Sequence, residues 1–366
     1  MTNSNSKNIC SVAIGTAALL ALATPPAHAA TYTFTLLDTL GGNSEATGVN
    51  LNNQVAGISY VGEFARAVRW DRAAVTDLGT LGGQASMALG INDAGQVVGA
   101  AQDAAGRFIA TSWATGSASA SALGGGVNQA YAVNNAGQIA GSLDGHAVVW
   151  QNDLVRQLSL GTAAALNGVG QAVGTSTLSA TQNQATRWDG DVATRLDLLA
   201  PGSSSYAFGI NHWGQVVGQA GTSDGTTHAV VWNDTLAIDL GTLGGSFSSA
   251  SAINDEGLIV GMSFTTGDAA AAAVLWDGNI TTDLNSFLSV SDVDAGWRLY
   301  TATGINRIGS IVGAAYNSNT QLQRAYLLTE NSAGEGPVTA VPEPQTYAML
   351  LVGLGALGWA ARRRRN

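Results

Sequence analysis

Chemistry near neutral pH calls for a histidine, a reactive thiol, a base-activated hydroxyl, paired carboxylates or a cluster of metal ligands. This chain has few of these and spaces them far apart. Its single cysteine, Cys10, and one of its four histidines, His28, stand within the first thirty residues. The others, His146, His212 and His228, form no His-x-x-x-His or comparable metal spacing. No Gly-x-Ser-x-Gly elbow is present. Gly79-Thr80-Leu81-Gly82-Gly83 lacks the lysine of a phosphate loop and reads as a connection between strands. Asp93 and Asp255 could suggest calcium, but sister positions carry Asn135, His212 and Gly168, and the spacing is too short for an EF-type loop. Asp292 and Asp294 could serve a glycosidase as acid and base if suitably separated. Two acids in an exposed loop are more simply read as solvated.

The elements that must position these residues are repeats. Asn follows a branched apolar residue at Asn50, Asn92, Asn134, Asn167, Asn211, Asn254 and Asn306, and the steps between them are 42, 42, 33, 44, 43 and 52 residues. A period of that size marks an array of one supersecondary unit. Residues 70–113 give the clearest copy. A strand ends at Trp70, Ala74–Leu78 follows a polar turn, and a Gly-rich loop leads to Ser86–Ile91. The turn Asn92-Asp93-Ala94-Gly95 then precedes Gln96–Gly99, and Phe108–Trp113 ends the unit. Each short Val/Ile/Thr/aromatic run is bounded by Gly, Asn, Asp or Ser, as strands and hairpins require. An Asn able to bond backbone two residues on, followed by Gly at positive φ, suits such a hairpin. The mature body is therefore expected to be all-β.

Trp recurs at the end of a strand at Trp70, Trp113, Trp150, Trp188, Trp232 and Trp276, with Ala325–Leu328 in the seventh copy. A large aromatic in the same place in every unit reads as packing between units rather than a ligand platform. Burying ~150–250 Å² of ring at ~25 cal/mol per Å² stabilises by on the order of 4–6 kcal/mol gross per unit. Seven four-stranded units predict a seven-bladed β-propeller over 31–330. The N-terminal segment Tyr32–Leu40 matches a fourth strand, and Arg324–Thr329 matches a third. The first should therefore complete the last blade and remove its exposed edge. The Leu-Gly-Thr-Leu-Gly-Gly, Ala-x-Ile-Asn and Trp marks together resemble the HAF family of extracellular repeats, which implies an extracellular setting but no reaction. Two copies depart. Leu160-Gly161-Thr162 runs almost directly into its strand and should leave a notch, and Asn285–Thr303 is long enough for an extra rim hairpin.

Both ends carry targeting signals. Lys7, the apolar run Val12–Ala23, Pro25-Pro26 and the small residues for cleavage at Ala27-His28-Ala29 read as a signal peptide over 1–30, with the mature chain beginning near Ala30 or Thr31. A linker over 331–341 leads to Val341, Pro342, Glu343 and Pro344. The apolar stretch Tyr347–Ala361 and Arg362, Arg363, Arg364 and Arg365 follow. Fifteen apolar residues are short of the ~20 of a full span, and four arginines behind them would hold the cytoplasmic side. This order over 342–366 resembles the PEP-CTERM sorting signal, with its short transmembrane helix and Arg cluster. The resemblance implies cleavage by an exosortase in a Gram-negative bacterium, transient inner-membrane anchoring and an association with exopolysaccharide and biofilm.

Fifteen basic residues less Lys7 and the four terminal arginines leaves ten, against 25 acids less Glu343, a net of about −14. Such an acidic surface argues against nucleic acid, whose binding rests on phosphate neutralisation. Without Cys10 the mature chain has no disulfide or thiol chemistry. No cofactor or metal is expected. The second-to-third connections, among them Thr175–Gln184 and Gln219–His228, are polar and variable, which suits sugar hydroxyls. The function expected is an exported, non-catalytic surface or matrix propeller that binds or organises exopolysaccharide or partner proteins. The alternatives are a polysaccharide hydrolase or lyase using rim carboxylates, and a purely structural matrix component.

Overall fold

The computed structural model describes residues 31–124, 128–152 and 154–331. The signal peptide expected at 1–30 and the tail from 332 onward, with its apolar stretch and arginines, lie outside these. No helix of the described residues is long and apolar enough to cross a membrane.

The described residues are all-β, and one antiparallel meander recurs along them. It is plainest in Ser44–Val49, Gln54–Val61, Phe64–Asp71 and Ala74–Asp77. Gly82–Ile91, Val97–Asp103, Phe108–Trp113 and Ala120–Ala122 repeat it. A seven-stranded sheet then runs from Asn128–Val133 to Val192–Arg195. At its middle the 13-residue strand Leu154–Leu166 serves as the last strand of one meander and the first of the next. An eight-stranded sheet, Ser205–Ile210 through Ile280–Asp283, is two meanders joined by the single parallel bridge Thr227↔Phe247. The final sheet takes Trp297–Ile305, Ile311–Asn317 and Gln323–Asn331, and beside the last of these lies Thr31–Leu36. That N-terminal strand pairs antiparallel with the C-terminal one, from Thr31↔Asn331 to Leu36↔Tyr326. It is shorter than Tyr32–Leu40, although Leu37 N–H still donates to Ala325 O at 2.9 Å.

Each first strand carries a β-bulge at the same place, at Ala46/Gly48, Ala88/Gly90, Ala130/Ala132, Ala163/Ala165, Ala207/Gly209, Ala250/Ala252 and Ala302/Gly304. A bulge turns one side chain out of the pleat. It also drives a carbonyl of the first strand onto the second, where a Cβ would overlap it. Gly57, Gly99, Gly141, Gly174, Gly218, Gly261 and Gly313 stand at those points.

The tryptophans lie between meanders. Trp113 packs with Ala56 and Ala67 of the preceding unit, Trp188 with Ala140 and Val149, and Trp276 with Val217 and Val231. Trp70 packs on Val312, Ala325 and Leu327 from the far end of the chain. In the last unit Leu328 occupies the tryptophan's register position, opposite Ile311. Tyr326, fully buried, fills the space and donates its hydroxyl to Thr301 O at 3.0 Å. Burial pushes that hydroxyl far above the ordinary tyrosine value.

Two expectations are corrected. The long segment before the last meander forms no rim hairpin. It folds as a 3-10 turn, Leu284–Phe287, and a short helix, Val290–Asp294. Ser289 and Asp292 close a capping box that satisfies both ends of the helix's first turn, and Trp297 then begins a strand. The second-to-third connections are also tighter than expected. Strands extend to Asp103 and Gly221 and resume at Phe108 and Thr227, which leaves turns of four or five residues.

Candidate functional site

The bulges aim seven side chains at a central channel: Thr47, Leu89, Tyr131, Ala164, Phe208, Ser251 and Thr303, around a space of about 290 Å³. None is charged, and the threonine hydroxyls are engaged. Thr47 donates to Ala88 O at 3.0 Å and Thr303 to Ala46 O at 2.7 Å, each across a unit boundary. These seven side chains therefore offer mainly shape and aromatic surface.

At one mouth the seven asparagines come together. Each Oδ1 accepts backbone N–H groups of its own turn, as at Gln96 (2.9 Å) and Gln215 (3.0 Å). Each Nδ2 donates to the carbonyl of the next Asn: Asn50 to Asn92 (3.1 Å), Asn92 to Asn134 (3.1 Å), Asn134 to Asn167 (3.0 Å) and Asn167 to Asn211 (3.2 Å). Asn211 donates to Asn254 (3.1 Å), Asn254 to Asn306 (3.2 Å), and Asn306 back to Asn50 (2.9 Å). All seven are buried. The residue after each Asn stands above this ladder. Asp93 accepts Leu51 N–H at 3.0 Å and Asn135 Nδ2 at 2.6 Å, and Asp255 accepts His212 N–H at 2.9 Å. These carboxylates cap the neighbouring turn, and no cluster of three or more metal-ligating side chains occurs among the described residues. His212, Asp255, Asn135 and Arg307 line a depression of about 300 Å³, opened where Gly168 has no side chain.

The opposite face holds a constellation that the sequence does not announce, because its members are eleven residues apart on paired strands. His228 Nδ1 meets Asp239 Oδ2 at 2.8 Å, and its Nε2 lies 3.3 Å from Thr226 Oγ1. The order carboxylate–imidazole–hydroxyl is that of a nucleophilic triad. Here, however, Thr226 gives its proton to Asp224 Oδ1 at 2.7 Å. Hydrogen bonds from Thr222, then Thr226, hold the Asp224 carboxyl down at about 2. The cluster thus pins a turn. Burial raises the Glu45 carboxyl above its ordinary value, opposed by the hydrogen bond from Gln323 Nε2 at 3.4 Å. Asp292 sits in its capping box and Asp294 is exposed, so these two form no facing pair. His146, half-buried, lies 3.2 Å from Asp144 O.

The six tryptophans are spread around the molecule rather than gathered. Trp70 and Trp232 donate Nε1–H to Asp38 O (2.6 Å) and Asp197 O (2.8 Å). Trp113, Trp150, Trp188 and Trp276 meet no acceptor among the described residues. In the chain, Leu37-Asp38 and Leu196-Asp197 are matched by Leu78-Gly79, Leu123-Gly124 and Leu240-Gly241. The strand Leu154–Leu166 runs through Gly161 without a loop, and the cavity of about 680 Å³ along it opens not there but toward its Leu154 end, beside Arg156, Gln138, Gln151 and Val169. Ala29, Val341, Pro342, Glu343, Pro344, Arg362, Arg363, Arg364 and Arg365 lie outside the described residues.

The architecture is that of a β-propeller. The chain is similar to the β-propeller domain of the Trilobed protease from Pyrococcus furiosus, described as having an open velcro topology, with a TM-score of 0.52 at 9% identity over 79% of this chain and 97% of that one. It is more distantly similar to TolB from Acinetobacter baumannii, with a TM-score of 0.39 at 10% identity over 81% of this chain and 65% of that one. A puromycin-hydrolyzing peptidase of Mycobacterium tuberculosis gives a TM-score of 0.43 at 12% identity, over 77% of this chain and 48% of that one. At such identities the likeness speaks for the fold alone. No curated protein matches the chain in sequence.

Residues 340–365 match the PEP-CTERM protein-sorting motif. The chain is thus an exported protein with a propeller fold and a C-terminal sorting tail, and the motif implies processing by an exosortase.

Proposed function

We propose that the mature protein is a seven-bladed propeller closed by Thr31–Leu36, held at or released from a Gram-negative cell surface. There it binds or organises exopolysaccharide without turning it over. The observation that carries this reading is the sorting motif at 340–365 joined to a propeller. The pairing Thr31↔Asn331 to Leu36↔Tyr326 and the bond from Asn306 to Asn50 support the closed ring. The uncharged channel wall and the turn-pinning role of Asp224 and Thr226 favour binding over catalysis. The HAF resemblance rests on the repeated motifs and adds only an extracellular setting.

A glycan array on the processed protein, followed by a product-release assay on the best binder, tests the reading. Binding without release supports it, and release abolished by one Asp or Glu substitution overturns it. Glu45 gives the competing hydrolase or lyase reading its own check, since a carboxyl with a raised pKa suits a general acid. Glu45→Gln should leave binding unchanged and reveal no activity to lose.

A further inference from the structure

Six of the seven Asn turns place a small, aliphatic or polar residue two positions after the asparagine: Asn52, Ala94, Ala136, Val169, Glu256 and Ile308. The seventh places Trp213, which is 72% exposed. A scattered exposed apolar residue is ordinary, but this indole is held. Its Nε1–H donates to Asp255 O at 2.9 Å across the boundary between units. Its own N–H donates to Asn211 Oδ1 at 3.1 Å, and the His212 ring meets it edge-on with centroids 5.3 Å apart. An aromatic face fixed before a ligand arrives loses little entropy on binding. Beside it lies the depression with His212, Asp255, Asn135 and Arg307. Among the described residues no hydrogen bond or salt bridge engages the Arg307 side chain, which is exposed.

A flat apolar face flanked by carboxylate, guanidinium, imidazole and amide is the complement of a sugar ring. The C–H face of the sugar stacks on the indole, and its hydroxyls both donate to Asp255 and accept from Arg307 and Asn135. The geometry points to Trp213 and the adjoining channel mouth as a binding site for a neutral hexose-based glycan. This inference rests on the exopolysaccharide reading and supplies its site. A neutral ligand is favoured because Asp93 and Asp255 both stand at this mouth against Arg307 alone, within a protein of net charge −10. The surface used is the Asn-turn face, opposite the variable second-to-third turns.

The processed full-length protein is titrated with a β-linked glucose hexasaccharide and with a galacturonate hexasaccharide, followed by calorimetry and tryptophan fluorescence. The neutral oligomer should shift the exposed Trp213 emission, and Trp213→Ala should weaken its binding about ten-fold or more. Trp213→Phe, which keeps an aromatic face, should lose less and keep the fold. Tyr60→Ala, at an aromatic 39% exposed on the opposite face, should change nothing. Affinity should persist at about 1 M salt, where the Debye length is about 3 Å. Tighter, salt-sensitive binding of the galacturonate overturns the neutral assignment. Binding that survives Trp213→Ala, or falls equally with Tyr60→Ala, overturns the site and leaves the parent reading standing. No binding by the wild-type protein to either oligomer or to any arrayed glycan overturns both.

Discussion

The side-chain amide of Asn306 donates to the backbone carbonyl of Asn50 at 2.9 Å, across 256 residues of sequence. The same bond links Asn211 to Asn254 within the chain's interior. A local turn motif is thus also the connector between units, and the first and last units use it on the same terms as their neighbours.

Asn211 serves both roles, since Oδ1 satisfies the N–H groups of Trp213 and Gln215 while Nδ2 satisfies Asn254 O. Asn211→Ala leaves buried polar groups unpaired, at about 1–3 kcal/mol each. A loss of about 2–4 kcal/mol is expected in chemical denaturation. Asn211→Asp keeps the acceptor but sets a carboxylate against Asn254 O, so it should also destabilise.

Glycines of two kinds give opposite expectations. A Cβ at Gly218 would overlap Tyr206 O next to the bulge, whereas Gly225, with φ of +85°, faces open space. Gly225→Ala should cost about 1–2 kcal/mol, from left-handed backbone alone. Gly218→Ala should cost more than about 4 kcal/mol or abolish folding, because backbone must move. Thermal midpoints of the two variants compare them directly.

Trp232 and Trp113 separate packing from hydrogen bonding. Both are fully buried, but only Trp232 donates to an acceptor, Asp197 O. Replacement by Phe removes similar volume at each. Trp232→Phe should be the more destabilising by about 1 kcal/mol, since it also leaves a carbonyl unpaired.

Glu45 sets a pH dependence. Burial raises its folded-state pKa, so the folded protein holds this proton more tightly than the unfolded chain. The stability this contributes is complete below the ordinary glutamate range, about 4.3, and is lost as pH rises through the raised value. Glu45→Gln should therefore be more stable than wild type at neutral pH. That advantage should shrink on acidification and vanish below the ordinary range, as denaturation midpoints across pH would record.

The all-β class, the repeated unit and the partnership of N- and C-terminal strands are legible in the sequence, because Asn, Gly and Trp restrict local backbone and burial at fixed intervals. The turn role of Asn92 belongs to this local chemistry. Its bond to Asn134 O does not, since a period does not say which turns meet in space. The bulges had a signal in the small residues flanking Thr47 and Phe208, and its meaning emerges only with Gly57 and Gly218 packed against them. Ser289 and Asp292, three apart, mark a helix start that the polar run around them disguises as loop. The His228–Asp239 contact depends on strand register, and the sorting residues from Val341 to Arg365 are legible as a linear motif.

The most direct test uses the absence of cysteine from the described residues. Thr33 and Thr329 are directly opposed on the two terminal strands. Opposed antiparallel residues lie about 4.5–5.5 Å apart at Cα, within disulfide reach. Thr33→Cys combined with Thr329→Cys should form a disulfide under mild oxidation and raise the denaturation midpoint until reductant is added. Two free thiols in the folded, oxidised protein, with an unchanged midpoint, would contradict the closure of the ring by its N-terminal strand.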